Sequence, residues 1–226
     1  MRASAVPVDL VIFDHDGVLV DSEIIAMDLI ARLLTEAGVP TTVEDAIATY
    51  LGGSLDVVMD VIEAAGTSLD RDAFDAAFHD ELLDGFRAGL LPVPGIRDVL
   101  LALRGDGVRM SIASSGSRQR VGLGIELTGL DEFFPPEAIT TRDDVDRGKP
   151  FPDLFLLSAE RGSAPATRCL VIEDSPAGVE AAHRAGMRVV GLSFRTPPDR
   201  LVDADWVMTE ATGILDLVQR GAVPRP

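Results

Sequence analysis

A short apolar segment that ends in two carboxylates constrains the fold of this chain more than any other feature. Residues 11–13 form an uninterrupted apolar run, which is typical of a strand buried on both faces of a parallel sheet. Asp14 and Asp16 follow directly, and Gly17 then favours a turn. Because open α/β sheets bind ligands at the carboxyl ends of their strands, this segment predicts a site in which one carboxylate attacks and the other moves protons. The same residues also occur in turns that have no catalytic role.

The rest of the sequence predicts an α/β fold, a doubly wound, Rossmann-like parallel sheet with an inserted all-helical cap. Apolar residues between 24 and 90 recur at helical spacing, with no convincing strand, whereas helices and strands alternate after 92–95. The predicted cap helices span residues 24–37, 43–50, 54–65 and 71–86. The later predicted strands span residues 108–113, 137–141, 169–172, 188–192 and 206–209, and the later helices span residues 96–104, 117–127, 153–161, 177–185 and 214–219.

The insertion divides the chain into two predicted domains. Residues 1–22 and 91–226 are assigned to the catalytic core, and residues 23–90 to the cap. The insertion begins a few residues after Asp16, so we expect it to leave the sheet at the edge that carries the carboxylates. This is the usual place for a lid over an active site.

The composition restricts the partners of the protein. The chain has 226 residues, and 37 Asp and Glu against 20 Lys and Arg give a net charge of −17. Such an acidic chain has no electrostatic basis for binding nucleic acid or an anionic membrane. No apolar run reaches membrane-spanning length, and no signal peptide is recognised. The single cysteine, Cys169, excludes an internal disulfide and is consistent with the reducing cytoplasm, where we expect the protein to act.

A second strand end carries small hydroxyl residues. Ser114, Ser115 and Gly116 follow the predicted strand at 108–113 and precede a helix. Such residues can present a hydroxyl and backbone N–H groups to an anion. Capping of the following helix by Ser117 explains part of the same pattern.

Two further segments supply a cation and more carboxylates. Lys149 is the only lysine in the chain and lies between Gly and Pro rather than on a charged helix face. Glu173 and Asp174 directly follow another predicted strand, at residues 169–172. Mg²⁺ prefers oxygen ligands, which Asp14, Asp174 and the main-chain carbonyl of Asp16 could provide, with Glu173 nearby. A surface lysine and carboxylates that cap a helix are the ordinary alternatives.

Taken together, these four segments resemble the haloacid dehalogenase superfamily, in particular its β-phosphoglucomutase-like phosphatase branch. The resemblance spans essentially the whole chain, because the segments occur in the family's order and the helical insertion has the expected place. It implies that Asp14 is the nucleophile, that an aspartyl-phosphate forms, and that Asp16 acts first as general acid and then as base. The resemblance also implies Mg²⁺ as cofactor, with metal binding by Asp14, Asp16, Glu173 and Asp174. The implied catalytic residues are Asp14, Asp16, Ser114 and Lys149. The implied phosphate-binding residues are Asp16, Gly17, Ser114, Ser115, Gly116 and Lys149.

The predicted function is hydrolysis of a small phosphorylated metabolite, such as a sugar or polyol phosphate. Dehalogenases of the superfamily lack the second aspartate of the first motif, and its phosphonate hydrolases need a cap lysine, which is missing here. A phosphosugar mutase remains an alternative, although mutases carry an arginine where this chain has Leu55. A phospho-receiver module is a further alternative, but receivers are smaller and have neither the cap nor an equivalent of Asp16.

The cap is predicted to select the substrate. The turn of Gly52, Gly53 and Ser54 is the candidate surface, because its small residues let the backbone approach a polyol; the alternative is that it only joins two helices. His15 is expected to point away from Asp14 and Asp16. Both a monomer and a homodimer remain possible.

Overall fold

The computed structural model of the protein describes residues 7–219 and contains one parallel sheet. Its strands, in the spatial order β3-β2-β1-β4-β5-β6, form the Rossmann-like sheet that the sequence predicts. The strands are β1 (Leu10–Phe13), β2 (Arg109–Ser114), β3 (Ile139–Thr141), β4 (Cys169–Glu173), β5 (Arg188–Leu192) and β6 (Trp206–Met208). The helices are α1 (Glu23–Glu36), α2 (Val43–Tyr50), α3 (Leu55–Ala64), α4 (Arg71–Gly89), α5 (Ile96–Gly105), α6 (Arg118–Leu127), α7 (Asp153–Arg161), α8 (Pro176–Arg184) and α9 (Gly213–Gln219).

The first strand lies in the middle of the sheet. It pairs with β2 on one side and β4 on the other, so that Phe13 is in register with both Ile112 and Ile172. All four residues of β1 are buried, as the apolar run predicts for a strand covered on both faces. The carboxyl ends of β1, β2 and β4 therefore meet at one edge of the sheet.

One predicted strand is shorter than expected. Residues 137–141 were expected to be extended, but Pro136–Ala138 form a short 3-10 helix and β3 begins at Ile139. Proline has no N–H group to give to a sheet ladder, and its fixed φ suits the first turn of a helix. The pair of prolines at 135 and 136 therefore delays the start of the strand.

The last helix of the insertion is longer than expected. It was expected to end at Phe86, but α4 continues to Gly89, and the Leu90 N–H still donates to the Phe86 carbonyl at 2.9 Å. Within it, Gly85 lies against α1, where an added Cβ would be 2.5 Å from the Ile25 side chain. Glycine is therefore used inside this helix for close packing despite its low helix propensity.

The described residues separate into two compact units. Asp21–Leu90 contain α1–α4 and no strand, and the second unit comprises the described residues up to Val20 and from Leu91 onward. Val20 and Pro92 form an antiparallel bridge, and the Val93 N–H donates to the Leu19 carbonyl at 3.0 Å. Both ends of the insertion thus leave the sheet-containing unit side by side, and the first of them follows Asp16 closely in sequence. The role of the helical unit as a cap stays a prediction.

Candidate active site

The first predicted site residue, Asp14, extends the central strand by one position. Its backbone N–H donates to the Ile172 carbonyl of β4 at 2.9 Å, which continues the sheet ladder. In a sheet of order 3-2-1-4-5-6, the crossovers on the two sides diverge between β1 and β4, which makes this the usual ligand crevice. The buried Asp14 carboxyl group therefore lies where such a fold places its ligand.

Two carboxylates at the end of β4 join Asp14. Glu173 is fully buried, Asp174 is nearly so, and oxygens of the three carboxyl groups lie within 4.8 Å of one another. Glu173 also accepts hydrogen bonds through Oε2 from the Ser175 N–H at 2.8 Å and from the Ser175 hydroxyl at 2.9 Å. These bonds fix the position of the Glu173 carboxylate. The sequence predicts this residue either near the metal ion or in contact with the residues that bind the ion directly.

Two glycines make room for this carboxylate cluster. An added Cβ at Gly17 would lie 2.0 Å from Asp174 Oδ2, and one at Gly178 would lie 1.9 Å from Glu173 Oε1. Gly17 also has a φ of 70°, a conformation that other residues adopt at a cost. Its amide donates to the Val20 carbonyl at 2.9 Å, so in this structure it stabilises the turn.

Lys149 contacts the carboxylates directly. Its Nζ lies 2.8 Å from Asp14 Oδ1 and also forms an ion pair with Glu173. The side chain is only 5% exposed, and Nζ lies 5.2 Å from the centre of the Phe155 ring. Burial acts to lower the pKa of Lys149, but Asp14 and Glu173 outweigh burial and raise it, so the ammonium stays charged.

The charge balance of the cluster favours a bound cation. Burial raises the pKa of Asp14 to about 7; Lys149 opposes this change, while Glu173 and Asp16 add to it. One ammonium group thus faces several buried carboxylates, and uncompensated buried charge is strongly unfavourable. Three convergent carboxylates also form the all-oxygen donor set that a hard divalent cation prefers. The residues present therefore suit a Mg²⁺ site.

The hydroxyl-rich loop after β2 is also at this edge of the sheet. Ser114 is buried at the end of β2, and its Oγ accepts a hydrogen bond from the Gly116 N–H at 3.0 Å. That bond leaves the proton of the Ser114 hydroxyl to be donated elsewhere. Ser115 is exposed, and no described contact connects it with the carboxylates. Ser117 caps α6, as the sequence predicts.

Asp16 contacts two residues that the sequence did not assign to it. Arg120 Nη2 donates to Asp16 Oδ1 at 2.8 Å, and His15 Nδ1 lies 3.3 Å from the same oxygen. The expectation that His15 points away from Asp16 is therefore wrong. The fully buried His15 also accepts at its carbonyl from the N–H groups of Leu19 and Val20, which fixes the turn.

The structure places Gly52, Gly53 and Ser54 between α2 and α3 in the helical unit. Gly52 has a φ of 67°, and the Gly53 N–H donates to the Tyr50 carbonyl at 2.8 Å. The Ser54 hydroxyl accepts from the Asp56 N–H at 3.2 Å and thereby caps α3. These bonds account for the turn as a connection between helices, and its part in substrate recognition stays a prediction.

Comparison with known proteins identifies the family. Residues 11–192 match the family described as haloacid dehalogenase-like hydrolase, so this chain belongs to that family, as its motifs predict. The fold is also that of a haloacid dehalogenase-like protein of unknown function, ATU0790 from Agrobacterium tumefaciens. Its crystal structure superposes with a TM-score of 0.84 at 34% identity, covering 96% of this chain and 100% of that one.

Two relatives of known name show how much of each chain the sequence similarity covers. A phosphorylated carbohydrates phosphatase from Thermotoga maritima is 31% identical over 189 residues, which are 81% of this chain and 85% of that protein. The chloroplastic protein SUPPRESSOR OF QUENCHING 1 of Arabidopsis thaliana is 34% identical over 208 residues, 87% of this chain. This chain spans only 19% of that longer protein. The comparisons confirm the predicted enzyme class, a haloacid dehalogenase-like hydrolase of phosphoric monoesters.

No helix among residues 7–219 is both long enough and apolar enough to cross a bilayer.

Proposed function

We propose that the protein is a Mg²⁺-dependent phosphatase that hydrolyses a small phosphorylated metabolite, such as a sugar or polyol phosphate, through an aspartyl-phosphate. The contact that carries this proposal is the ion pair between the buried Asp14 and Lys149, whose Nζ lies 2.8 Å from Asp14 Oδ1. It holds the carboxylate at the end of the central strand, inside a cluster that suits a divalent cation. The relation to a phosphorylated carbohydrates phosphatase supports the substrate class.

In the first proposed step, an Asp14 oxygen attacks phosphorus. The bond from phosphorus to the leaving-group oxygen breaks, and Asp16 gives that oxygen its proton, so that an alcohol departs. Lys149 offsets charge on Asp14 and on the phosphoryl group, and the Ser114 hydroxyl donates to a phosphoryl oxygen. Ser115, Gly116 and Gly17 complete the proposed phosphate-binding set.

In the second proposed step, water hydrolyses the phosphorylated Asp14. Asp16, now a carboxylate, removes a proton from the water as its oxygen attacks phosphorus, and the bond between phosphorus and the Asp14 oxygen breaks. Inorganic phosphate leaves, Asp14 is regenerated, and Asp16 again carries a proton. Bound at Asp14, Asp174 and the Asp16 carbonyl, beside Glu173, Mg²⁺ would supply Lewis-acid neutralisation of the phosphoryl charge.

The arginines of the helical unit support a phosphatase over a phosphosugar mutase. A mutase must hold a second phosphate, for which a cation is expected, and the helical unit contains only three arginines. Each of them forms an ion pair with a carboxylate of the same unit. These pairs are Arg32 with Glu36 and Glu81, Arg71 with Asp60 and Glu63, and Arg87 with Asp84. We therefore propose a leaving group that is neutral or weakly anionic.

The proposed site of action is the cytoplasm, and the proposed partner is the small metabolite alone. The buried thiol of Cys169, whose pKa burial raises to about 11, is that of an unreactive interior residue. Neither a monomer nor a homodimer is preferred.

Phosphate release from a panel of sugar and polyol phosphates tests the function. We expect turnover with Mg²⁺, none in excess chelator, and none for Asp14→Asn, whereas the exposed matched control Asp203→Asn keeps the wild-type rate. Full activity in chelator would contradict the metal requirement. Conversion of a sugar phosphate into its positional isomer, without phosphate release, would establish the mutase alternative. Phosphorylation of Asp14 without turnover would instead establish the receiver alternative.

A further inference from the structure

We propose that Arg120 is a positioning residue that holds the Asp16 carboxylate in the geometry required for proton transfer. This inference rests on the proposed function, because that function gives Asp16 its role as acid and base. The two residues are 104 positions apart in the chain, and both belong to the sheet-containing unit.

The contact between them is short, charged and shielded. Arg120 Nη2 donates to Asp16 Oδ1 at 2.8 Å, and the two side chains are only 17% and 16% exposed. Charge-assisted hydrogen bonds of this length are about twice as strong as neutral ones. Exposed surface ion pairs contribute little, but this pair is largely shielded from water and therefore more effective.

The arginine is itself held in place by the loop after β2. The backbone N–H of Arg120 donates to the Ser117 hydroxyl at 3.2 Å in the first turn of α6. Its Cδ lies close to Gly116, where an added Cβ would be only 3.4 Å away. This is an ordinary van der Waals distance, so the arginine stem runs directly beside the loop that also carries Ser114. The loop predicted to bind phosphate therefore also supports the proton-transfer residue.

Asp16 needs such support because it lies in a turn. The residues from Asp14 to Val20 belong to no helix or regular strand. The sheet-type pairing described for the Asp16 backbone is an isolated bridge with Val20. A catalytic group on a loop is held less precisely than one on a strand, and a displacement of about 1 Å can slow a reaction by about a hundred-fold. An arginine fixed on α6 ties this turn to a rigid element, with His15 Nδ1 facing the same oxygen at 3.3 Å.

The test is a double-mutant cycle between Arg120→Met and Asp16→Asn, measured by phosphate release from a sugar phosphate with Mg²⁺. If Arg120 acts through Asp16, Arg120→Met lowers kcat by about 10- to 100-fold with little change in KM. In the Asp16→Asn background, the same substitution then has almost no further effect. Arg120→Lys, which keeps the charge, recovers part of the rate.

Arg118→Met is the matched control. Arg118 lies on the same helix and forms an ion pair with Asp144 at 2.6 Å, on a network that does not include Asp16. We expect this control to leave kcat unchanged, and thermal unfolding of every variant verifies the fold. If Arg120→Met does not fold, Arg120→Lys and Arg120→Gln take its place in the cycle.

Additive losses in the cycle would overturn the positioning role, and so would a loss confined to KM, which would make Arg120 a substrate-binding residue. Both results leave the proposed function intact, provided that Asp16→Asn is impaired. A wild-type rate in Asp16→Asn would instead refute the proposed acid–base role of Asp16, and the inference about Arg120 with it.

Discussion

Replacement of Asp14 by asparagine is expected to abolish turnover and, at the same time, to stabilise the metal-free protein at pH 8. The amide cannot form the aspartyl-phosphate, so catalysis is lost. The amide is also neutral, whereas burial, with smaller contributions from Glu173 and Asp16 and against the charge of Lys149, raises the pKa of the Asp14 carboxyl from 3.8 to about 7. The negative charge that Asp14 needs for catalysis is therefore expected to destabilise the folded protein when no metal is bound.

The magnitude of this effect follows from the pKa. Because the folded-state pKa of Asp14 is raised, the stability that Asp14 contributes is fully present below pH 3.8 and is lost as the pH rises through about 7. At about 1.4 kcal/mol per pKa unit, the loss is about 4 kcal/mol at pH 8 and about 2 kcal/mol at pH 5. Asp14→Asn lacks this loss, so its Tm should exceed that of the wild type by roughly 10 °C at pH 8.

Thermal unfolding in excess chelator at pH 8 and pH 5 measures this difference. Asp203→Asn serves as the control, because this exposed aspartate should leave both Tm and turnover unchanged. Saturating Mg²⁺ should reduce the advantage of Asp14→Asn, since the cation binds the wild-type carboxylate more tightly and stabilises the folded state. If Asp14→Asn is no more stable than the wild type at pH 8, or if its advantage does not change with pH, the electrostatic account of the site is wrong.

Two further substitutions test particular contacts. Gly17→Ala should raise the Mg²⁺ concentration for half-maximal activity, because the new Cβ would lie 2.0 Å from Asp174 Oδ2. The control is Gly107→Ala, whose φ of 71° is similar but whose Cβ would have no atom within 4 Å, so that it should lose only about 1 kcal/mol of stability. Equal metal dependence of the two variants would contradict the crowding argument. Burial acts to raise the pKa of Asp144, but hydrogen bonds from Arg161 and Thr141 and the charge of Arg118 outweigh burial and lower the pKa to about 2. Asp144 therefore contributes stability above pH 3.8, and this stability is lost as the pH falls through 2. Asp144→Asn should therefore flatten the acid limb of the stability curve, measured by denaturant unfolding between pH 2 and pH 5, and an unchanged limb would exclude this network as its cause.

The central strand and the residues at its end could be predicted from sequence because local patterns determine them. A buried apolar run followed by Asp14 indicates both the strand and its ligand end, and the single lysine drew attention to Lys149. The parallel, doubly wound sheet followed from the alternation of helices and strands, whereas the order of its strands was not predicted. The delayed start of β3 is local too, because the prolines at 135 and 136 favour a helical turn.

The contact between Arg120 and Asp16 could not be predicted in the same way. It joins residues 104 positions apart and depends on the rotation of α6 relative to the turn that carries Asp16, which leaves no periodic pattern in the sequence. The one available signal was the position of Arg120 three residues after Ser117, in the first turn of a helix that follows a predicted site loop. The expectation for His15 was wrong because the residue lies in a tight turn, in which the Leu19 and Val20 N–H groups donate to its carbonyl.

Direct detection of a phosphorylated Asp14 tests the central claim. Asp16→Asn should slow hydrolysis of the intermediate, so this variant is mixed with a readily cleaved phosphate ester, such as a nitrophenyl phosphate, and quenched in acid within a single turnover. Borohydride reduction and peptide mass spectrometry then locate the phosphorylated residue. We expect conversion of Asp14 to homoserine, and no conversion without substrate or in the variant that also carries Asp14→Asn. A burst of nitrophenol without modification of Asp14, or with modification of another residue, would show that Asp14 is not the nucleophile.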